Sequence, residues 1–217
     1  VTPRAVLYDL DGTLIDSTEA IVGCFMHTFD HFGIARPDAR AIVDSIGAPL
    51  EDQFQHFWPE GDSAECCRVY RERYATVCRE QTYLLPGARE ILAACAHAGL
   101  RQGFATSKRR LYAEMILEHL GVLGYFETGI GPDEVTHHKP HPEAVLKATA
   151  AMQVTPEETF FIGDTHYDVE AGKAAGARVV CVTTGYATRD ALEALEPEAV
   201  YDTLDEVRDH VLSALGR

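Results

Sequence analysis

From residue 102 onward, strand-like and helix-like segments alternate, and this alternation constrains the fold more than any other feature of the chain. Residues 102–105, 126–130, 159–162 and 179–182 are short runs with strand character. Between them lie helical patterns over 111–120, 142–152 and 167–175, with Gly121 and Gly176 as stops. A helix near Ala191, a short strand near Val200 and a helix over 204–215 follow. Strands that alternate with helices predict a parallel sheet covered on both faces, because continuous apolar strands have no polar side to show to water.

One further strand lies far upstream. Ala5-Val6-Leu7-Tyr8 is a short apolar run that stops at Asp9-Leu10-Asp11-Gly12. Between it and residue 85 only helical patterns are predicted, with no strand. Asp16 reads as an N-cap with Glu19 three residues on, followed by Ile21, Val22, Phe25 and Phe29 at helical spacing and closed by Gly33. Further helices are expected from Asp38 to Val43, from Leu50 to Trp58 and from Asp62 or Ser63 to about Arg79. An Ala-rich helix over 88–98 ends at Gly99. A crossover between parallel strands needs only about a dozen residues, far fewer than separate Asp9 from Gln102. The expected fold is therefore α/β: a Rossmann-like three-layer core with a parallel sheet, formed by 1–15 and 86–217, and an inserted α-helical cap over 16–85.

In open parallel sheets, ligands bind beyond the carboxyl ends of the strands. Those ends carry Asp9 and Asp11, then Thr106 and Ser107, then Gly163-Asp164 with Asp168 a short turn later. Lys139 sits in a loop just before a helix. Adjacent strands would bring four carboxylates, two hydroxyls and one ammonium to one crevice. Carboxylates crowded together are costly unless something cationic neutralises them, and one lysine is insufficient. A hard divalent cation with oxygen ligands answers this, and Mg²⁺ suits a site that keeps room for a phosphate.

Charge narrows the partners. The chain of 217 residues has 19 Lys+Arg against 34 Asp+Glu, a formal net charge of −15. That field repels nucleic acid and anionic membrane. It admits an anionic small molecule only where a cation cluster or a metal reverses it locally. No apolar run is long enough for a bilayer, and Val1-Thr2-Pro3-Arg4 shows no signal-peptide pattern. The six cysteines (Cys24, Cys66, Cys67, Cys78, Cys95 and Cys181) lack the spacing of a zinc site. Reduced thiols and a cytoplasmic location are expected, as a monomer or a homodimer.

The four polar segments together resemble the motifs of the haloacid-dehalogenase superfamily. Asp9-Leu10-Asp11-Gly12-Thr13-Leu14 resembles the first and Ala105-Thr106-Ser107-Lys108 the second. Lys139-Pro140-His141-Pro142 resembles the third and Gly163-Asp164-Thr165-His166-Tyr167-Asp168 the fourth. They occur in order, and the helical insert matches the position of that family's cap. The nearest subgroup by resemblance is the phosphoglycolate-phosphatase-like hydrolases.

The resemblance implies a phosphomonoester hydrolase acting on a small phosphorylated metabolite, with phosphoglycolate as the default. Asp9 would attack phosphorus, and Asp11 would protonate the leaving alcohol and then activate water. Asp9, the main-chain carbonyl of Asp11 and Asp164 would hold Mg²⁺, with Asp168 acting from behind them. Gly12, the Thr106 hydroxyl, the Ser107 backbone N–H and Lys139 would bind phosphate. The subgroup often has Asn where this chain has Ser107, a change that a backbone contact tolerates.

Other activities of the superfamily are pruned by residues. A haloalkanoate dehalogenase needs neither the second aspartate nor the acidic fourth motif. A phosphonate hydrolase needs a cap lysine, and the first lysine here is Lys108, after the cap. A sugar-phosphate mutase of the β-phosphoglucomutase kind, a pyrophosphatase and a nucleotidase stay open. A catalytically silent phosphate-binding module is opposed by the intact Asp9, Asp11, Lys139 and Asp164. His137, His138, His141 and His166 are expected as loop histidines beside an anionic pocket, and Arg68 and Arg71 as solvated charges on one helix. Gly47-Ala48-Pro49 is expected as an ordinary turn of the cap.

Overall fold

The computed structural model describes residues 1–216. Strand β1 (Ala5–Tyr8) is buried at every position and lies in the middle of a six-stranded sheet. Its neighbours are β4 (Arg101–Ala105) on one side and β6 (Thr159–Gly163) on the other, both parallel to it. β5 (Thr128–Ile130) flanks β4, and β7 (Arg178–Val182) and β8 (Ala199–Tyr201) extend the far side. The order is β5-β4-β1-β6-β7-β8, parallel throughout.

The register positions the chemistry. Tyr8 pairs with Phe104 and with Ile162. The chain runs outward from β1 on one side and returns on the other, so β1 is where the strand order reverses. Asp9, Thr106 and Asp164 follow these three strands within two residues of the paired positions, and so emerge at one edge of the sheet.

Alternation of side chains across the sheet divides the core in two. Val6, Tyr8, Phe160, Ile162, Val180 and Val182 face one side, with α5 (Ala88–His97) and α10 (Leu204–Ser213) over them. Leu7 and Phe161 face the other, under α7 (Glu143–Ala151) and α8 (His166–Ala175). Burying both faces of a central strand is what its unbroken apolar sequence requires. Gln102, a buried polar residue on β4, is held at both ends of its amide: it accepts from the Tyr8 hydroxyl at 3.0 Å and donates to the Leu92 carbonyl at 3.0 Å.

Helices α1 (Thr18–Phe32), α2 (Ala39–Asp44), α3 (Leu50–Phe57) and α4 (Ser63–Val77) lie between β1 and residue 83. An aromatic cluster joins α1, α3 and α4, with Phe25 and Phe54 ring centroids 4.6 Å apart and Phe25 and Tyr70 at 5.3 Å. This cluster is continuous with one side of the sheet core.

Three sequence expectations are corrected. Strands do occur between residues 15 and 85: β2 (Ile15–Asp16) pairs antiparallel with β3 (Tyr83–Leu84). Two residues are too few to carry a periodic signal, and the pair exists because the two connections run side by side. Asp16 is not the N-cap of α1: that position belongs to Ser17, whose hydroxyl donates to Asp11 instead, while Asp16 accepts from the Thr18 N–H at 2.9 Å. The fifth strand begins at Thr128 because residues 123–125 form a 3₁₀ turn.

All six cysteines are buried free thiols. Among the described residues, no helix is long and apolar enough to cross a membrane.

Candidate active site

Lys139 is the hub of the buried charges. Its ammonium lies 3.0 Å from Asp9 Oδ1 and 2.6 Å from Asp168 Oδ1, and it donates to the Ala105 carbonyl at 3.3 Å. Asp168 is fixed by the local chain: its Oδ2 accepts from the Thr165 N–H at 3.0 Å and the Thr165 hydroxyl at 2.7 Å. This is a capping box at the start of α8, so a residue that stabilises a helix end also holds the lysine.

Asp164 is wholly buried. Its Oδ1 accepts from the Thr13 hydroxyl at 2.9 Å and its Oδ2 from the Tyr186 N–H at 3.0 Å. Gly12 has a φ of +81°, and a Cβ there or at Gly185 would collide with the Asp164 carboxylate. The Gly12 N–H already donates to the Ile15 carbonyl and its carbonyl accepts from the Thr184 hydroxyl. Its peptide groups close the turn, and its missing side chain admits Asp164.

One carboxylate oxygen from each of Asp9, Asp164 and Asp168 lies within 4.8 Å of the others. Burial, reinforced by Asp168 and Asp11 and opposed by Lys139, pushes the Asp9 carboxyl up to about 7. Burial and the neighbouring Asp168 and Asp9 push Asp164 well above the usual carboxylate range.

Asp11 stands beside this cluster and has a cation of its own. Asp11 is drawn to a second buried ammonium, Lys108, at 3.1 Å, and accepts from the Ser17 hydroxyl on its other oxygen. Lys108 also donates to the Tyr74 hydroxyl of α4 at 2.5 Å. Burial works against the Lys108 charge, but Asp11 and Tyr74 more than offset it and hold the group above its ordinary value. Burial pushes the Tyr74 phenol up to about 12, against the pull of Lys108. The second motif contains Lys108, but nothing in the sequence shows its partner. No spacing signal links it to Tyr74, which lies 34 residues away on another element.

A cavity of about 450 Å³ lies over these groups. Asp9, Asp11, Thr106, Ser107, Lys108 and Lys139 line it from the sheet edge. Phe25, Tyr70 and Arg71 line it from the helices, and Gly47 from the turn between α2 and α3. Thr106 is buried, and its hydroxyl accepts from the Lys108 N–H at 3.3 Å. The Ser107 hydroxyl donates to the Gly47 carbonyl at 2.9 Å, so its side chain ties the sheet edge to the 47–49 turn. Arg71 reaches the cavity and pairs with Glu51 at 2.8 Å, whereas Arg68 is held by Glu65 and Glu72. His138 lines the cavity. His137 and His141 pack against each other beside Glu143, and His166 packs on Tyr167.

Comparison with known proteins decides the family. A family model described as haloacid dehalogenase-like hydrolase matches residues 6–182. The chain belongs to the haloacid dehalogenase-like hydrolases. The pyrophosphatase PpaX of Anoxybacillus flavithermus is 32% identical to it, over 98% of this chain and 97% of that protein. The phosphoglycolate phosphatase of Nitrosococcus oceani is 31% identical, over 95% of this chain and 96% of its own. A haloacid dehalogenase-like family hydrolase from Streptococcus pneumoniae superimposes with a TM-score of 0.88 at 26% identity, covering 96% of this chain and 98% of that structure. The chain is thus a phosphatase-type hydrolase of this family on an α/β fold.

The residues of this hydrolase fit a divalent cation. Three buried carboxylates face one ammonium, which leaves uncompensated negative charge in a poorly solvated place. Asp9 Oδ1, although near Lys139, is a buried oxygen with no hydrogen-bond partner. The donors are oxygens only, the set that Mg²⁺ prefers to softer metals.

Proposed function

We propose that the chain is a Mg²⁺-dependent phosphomonoester hydrolase that works through an aspartyl phosphate on Asp9. The observation that carries this is the grouping of Asp9, Asp164 and Asp168 within 4.8 Å, braced by Lys139, with Asp9 and Lys139 reaching a cavity that Thr106 and Ser107 also line. The reading treats 16–85 as a cap over a core of 1–15 and 86–217.

Asp9 and Asp164, with the Asp11 main-chain carbonyl, would hold the cation, and Asp168 would steady Lys139 and the turn behind Asp164. When bound, Mg²⁺ supplies charge neutralisation to the phosphoryl oxygens and keeps Asp9 ionised. A carboxylate oxygen of Asp9 attacks phosphorus while the bond to the leaving oxygen breaks. Asp11 gives its proton to that oxygen, then takes one from the water that attacks the phosphoryl group and frees Asp9 and phosphate. The Thr106 hydroxyl and Ser107 N–H orient the phosphate, and Lys139 offsets charge on phosphate and nucleophile together.

The test is release of inorganic phosphate from small phosphomonoesters with Mg²⁺, repeated with chelator. The proposal expects release that stops on chelation and returns with Mg²⁺. Interconversion of sugar phosphates without net release would replace it with a mutase, and neither outcome with a silent binding module. Phosphoglycolate, expected from the motif resemblance, and pyrophosphate, for which a relative is named, are the reference substrates.

A further inference from the structure

We infer that the preferred substrate is a phosphomonoester whose leaving alcohol is uncharged and carries an aromatic ring or heterocycle. The inference rests on the phosphomonoesterase reading and goes beyond it to the leaving group.

The first ground is size. A cavity of about 450 Å³ falls among those that enclose a drug-sized ligand. Phosphate esterified to a two-carbon acid would leave much of it to water.

The second is the wall. Phe25, Tyr70, Tyr74 and Tyr112 all line the cavity and form a contiguous aromatic series. Phe25 meets Tyr70 edge to face at 5.3 Å, Tyr70 stacks on Tyr74 at 5.5 Å and 11°, and Tyr74 meets Tyr112 at 5.3 Å. Tyr112 and, over a smaller area, Tyr70 present surface to the cavity, with Phe25 and Tyr74 buried behind them, and that surface rewards a flat apolar body through burial and ring-to-ring contact. Tyr70 is 7% exposed, and its hydroxyl has no hydrogen-bond partner among the described residues. A heteroatom on the leaving group would satisfy it.

The third is charge. Phosphoglycolate and pyrophosphate each bring a second anion, which needs a free cation. Lys139 and Lys108 are committed to Asp9, Asp168 and Asp11. Of the arginines, Arg71 pairs with Glu51 at 2.8 Å, and Arg109 faces Asp133 at 3.7 Å. A second anion would have to break one of these pairs and strand its acid beside new negative charge. A neutral ring breaks none.

Four substrates compared with Mg²⁺ test this: 2-phenylethyl phosphate, ethyl phosphate, phosphoglycolate and pyrophosphate. The first three release primary alcohols, so among them the comparison chiefly reads contacts with the organic part. The expected result is kcat/KM for 2-phenylethyl phosphate at least about tenfold above each of the others, as burial of one ring predicts. Equal or higher kcat/KM on phosphoglycolate or pyrophosphate overturns the inference and leaves the phosphatase reading standing. No hydrolysis of any of the four overturns both. Tyr70→Leu, which keeps an apolar side chain in the cap, is expected to bring the ratio of phenylethyl to ethyl phosphate towards one. An unchanged ratio in a folded variant also counts against the inference.

Discussion

Lys108 Nζ lies 3.1 Å from Asp11 Oδ2, and the same ammonium holds the Tyr74 hydroxyl of α4. The acid assigned to the leaving group is therefore aimed by a cation on the loop after β4 and by a phenol on the helical layer. Asp11 lies apart from the three clustered carboxylates, with Lys108 as its partner in place of Lys139. Lys108→Met removes that partner and keeps the length of the side chain. It is expected to lower kcat about ten- to a hundredfold, part of the range that general acid–base work supplies. The Mg²⁺ concentration for half-activation should stay unchanged, since Lys108 meets the side chain of Asp11 rather than its main-chain carbonyl and pairs with none of Asp9, Asp164 and Asp168. A titration of activity against Mg²⁺ for both proteins checks the two expectations together.

Asp9→Asn keeps shape and removes the nucleophile. Turnover is expected to fall by about a thousandfold or more. Phosphate binding should persist, because Thr106, Ser107 and Lys139 are untouched. Calorimetric titration with phosphate, alongside the kinetic assay, measures both.

The Asp164→Ala variant is expected to weaken activation by Mg²⁺, shifting half-activation to higher concentration. A ligand that binds only the folded state raises its stability in proportion to the logarithm of ligand concentration over Kd. The rise in Tm on adding Mg²⁺ should therefore shrink in this variant. Without the metal, loss of one acid from a repelling trio predicts a smaller stability cost than burial alone would suggest. Activity titrated against Mg²⁺ reads the first effect, and thermal melts with and without Mg²⁺ read the other two.

Acidity links the same cluster to pH. In the metal-free protein the Asp9 carboxyl is raised to about 7, above its value in an unfolded chain. Between about pH 4 and 7 the folded state thus holds a proton that the unfolded state has lost. That contribution to stability is fully present below the unfolded value and disappears as pH rises through about 7. Mg²⁺ competes with the proton, so its apparent affinity should increase over the same interval. Denaturant melts of the metal-free protein from pH 5 to 8, paired with Mg²⁺ titrations, should show opposite slopes.

The core was legible because strands buried on both faces leave unbroken apolar runs, as in Val6, Leu7 and Phe160 to Ile162. The acids were legible because each stands at a strand end, where Asp9 and Asp164 interrupt such a run. Contacts set by tertiary approach left no local trace. The Lys108–Tyr74 bond joins elements 34 residues apart, and the Ser107–Gly47 bond spans 60. The N-cap of α1 falls at Ser17 rather than Asp16 for a related reason: helix-start chemistry and a hydrogen bond to Asp11 call for the same kind of residue. The two-residue strands β2 and β3 fall below the length at which alternation can be detected.

Covalent trapping at position 9 tests the central claim most directly. An acyl phosphate is reduced by borohydride to the alcohol, so quenching a Mg²⁺-activated turnover mixture into borohydride and sequencing peptides by mass spectrometry locates the phosphorylated side chain. The account predicts reduction at Asp9, dependent on both substrate and Mg²⁺ and absent when chelator is added. Phosphate release with Asp9 unmodified, or with the label on another residue, would contradict it.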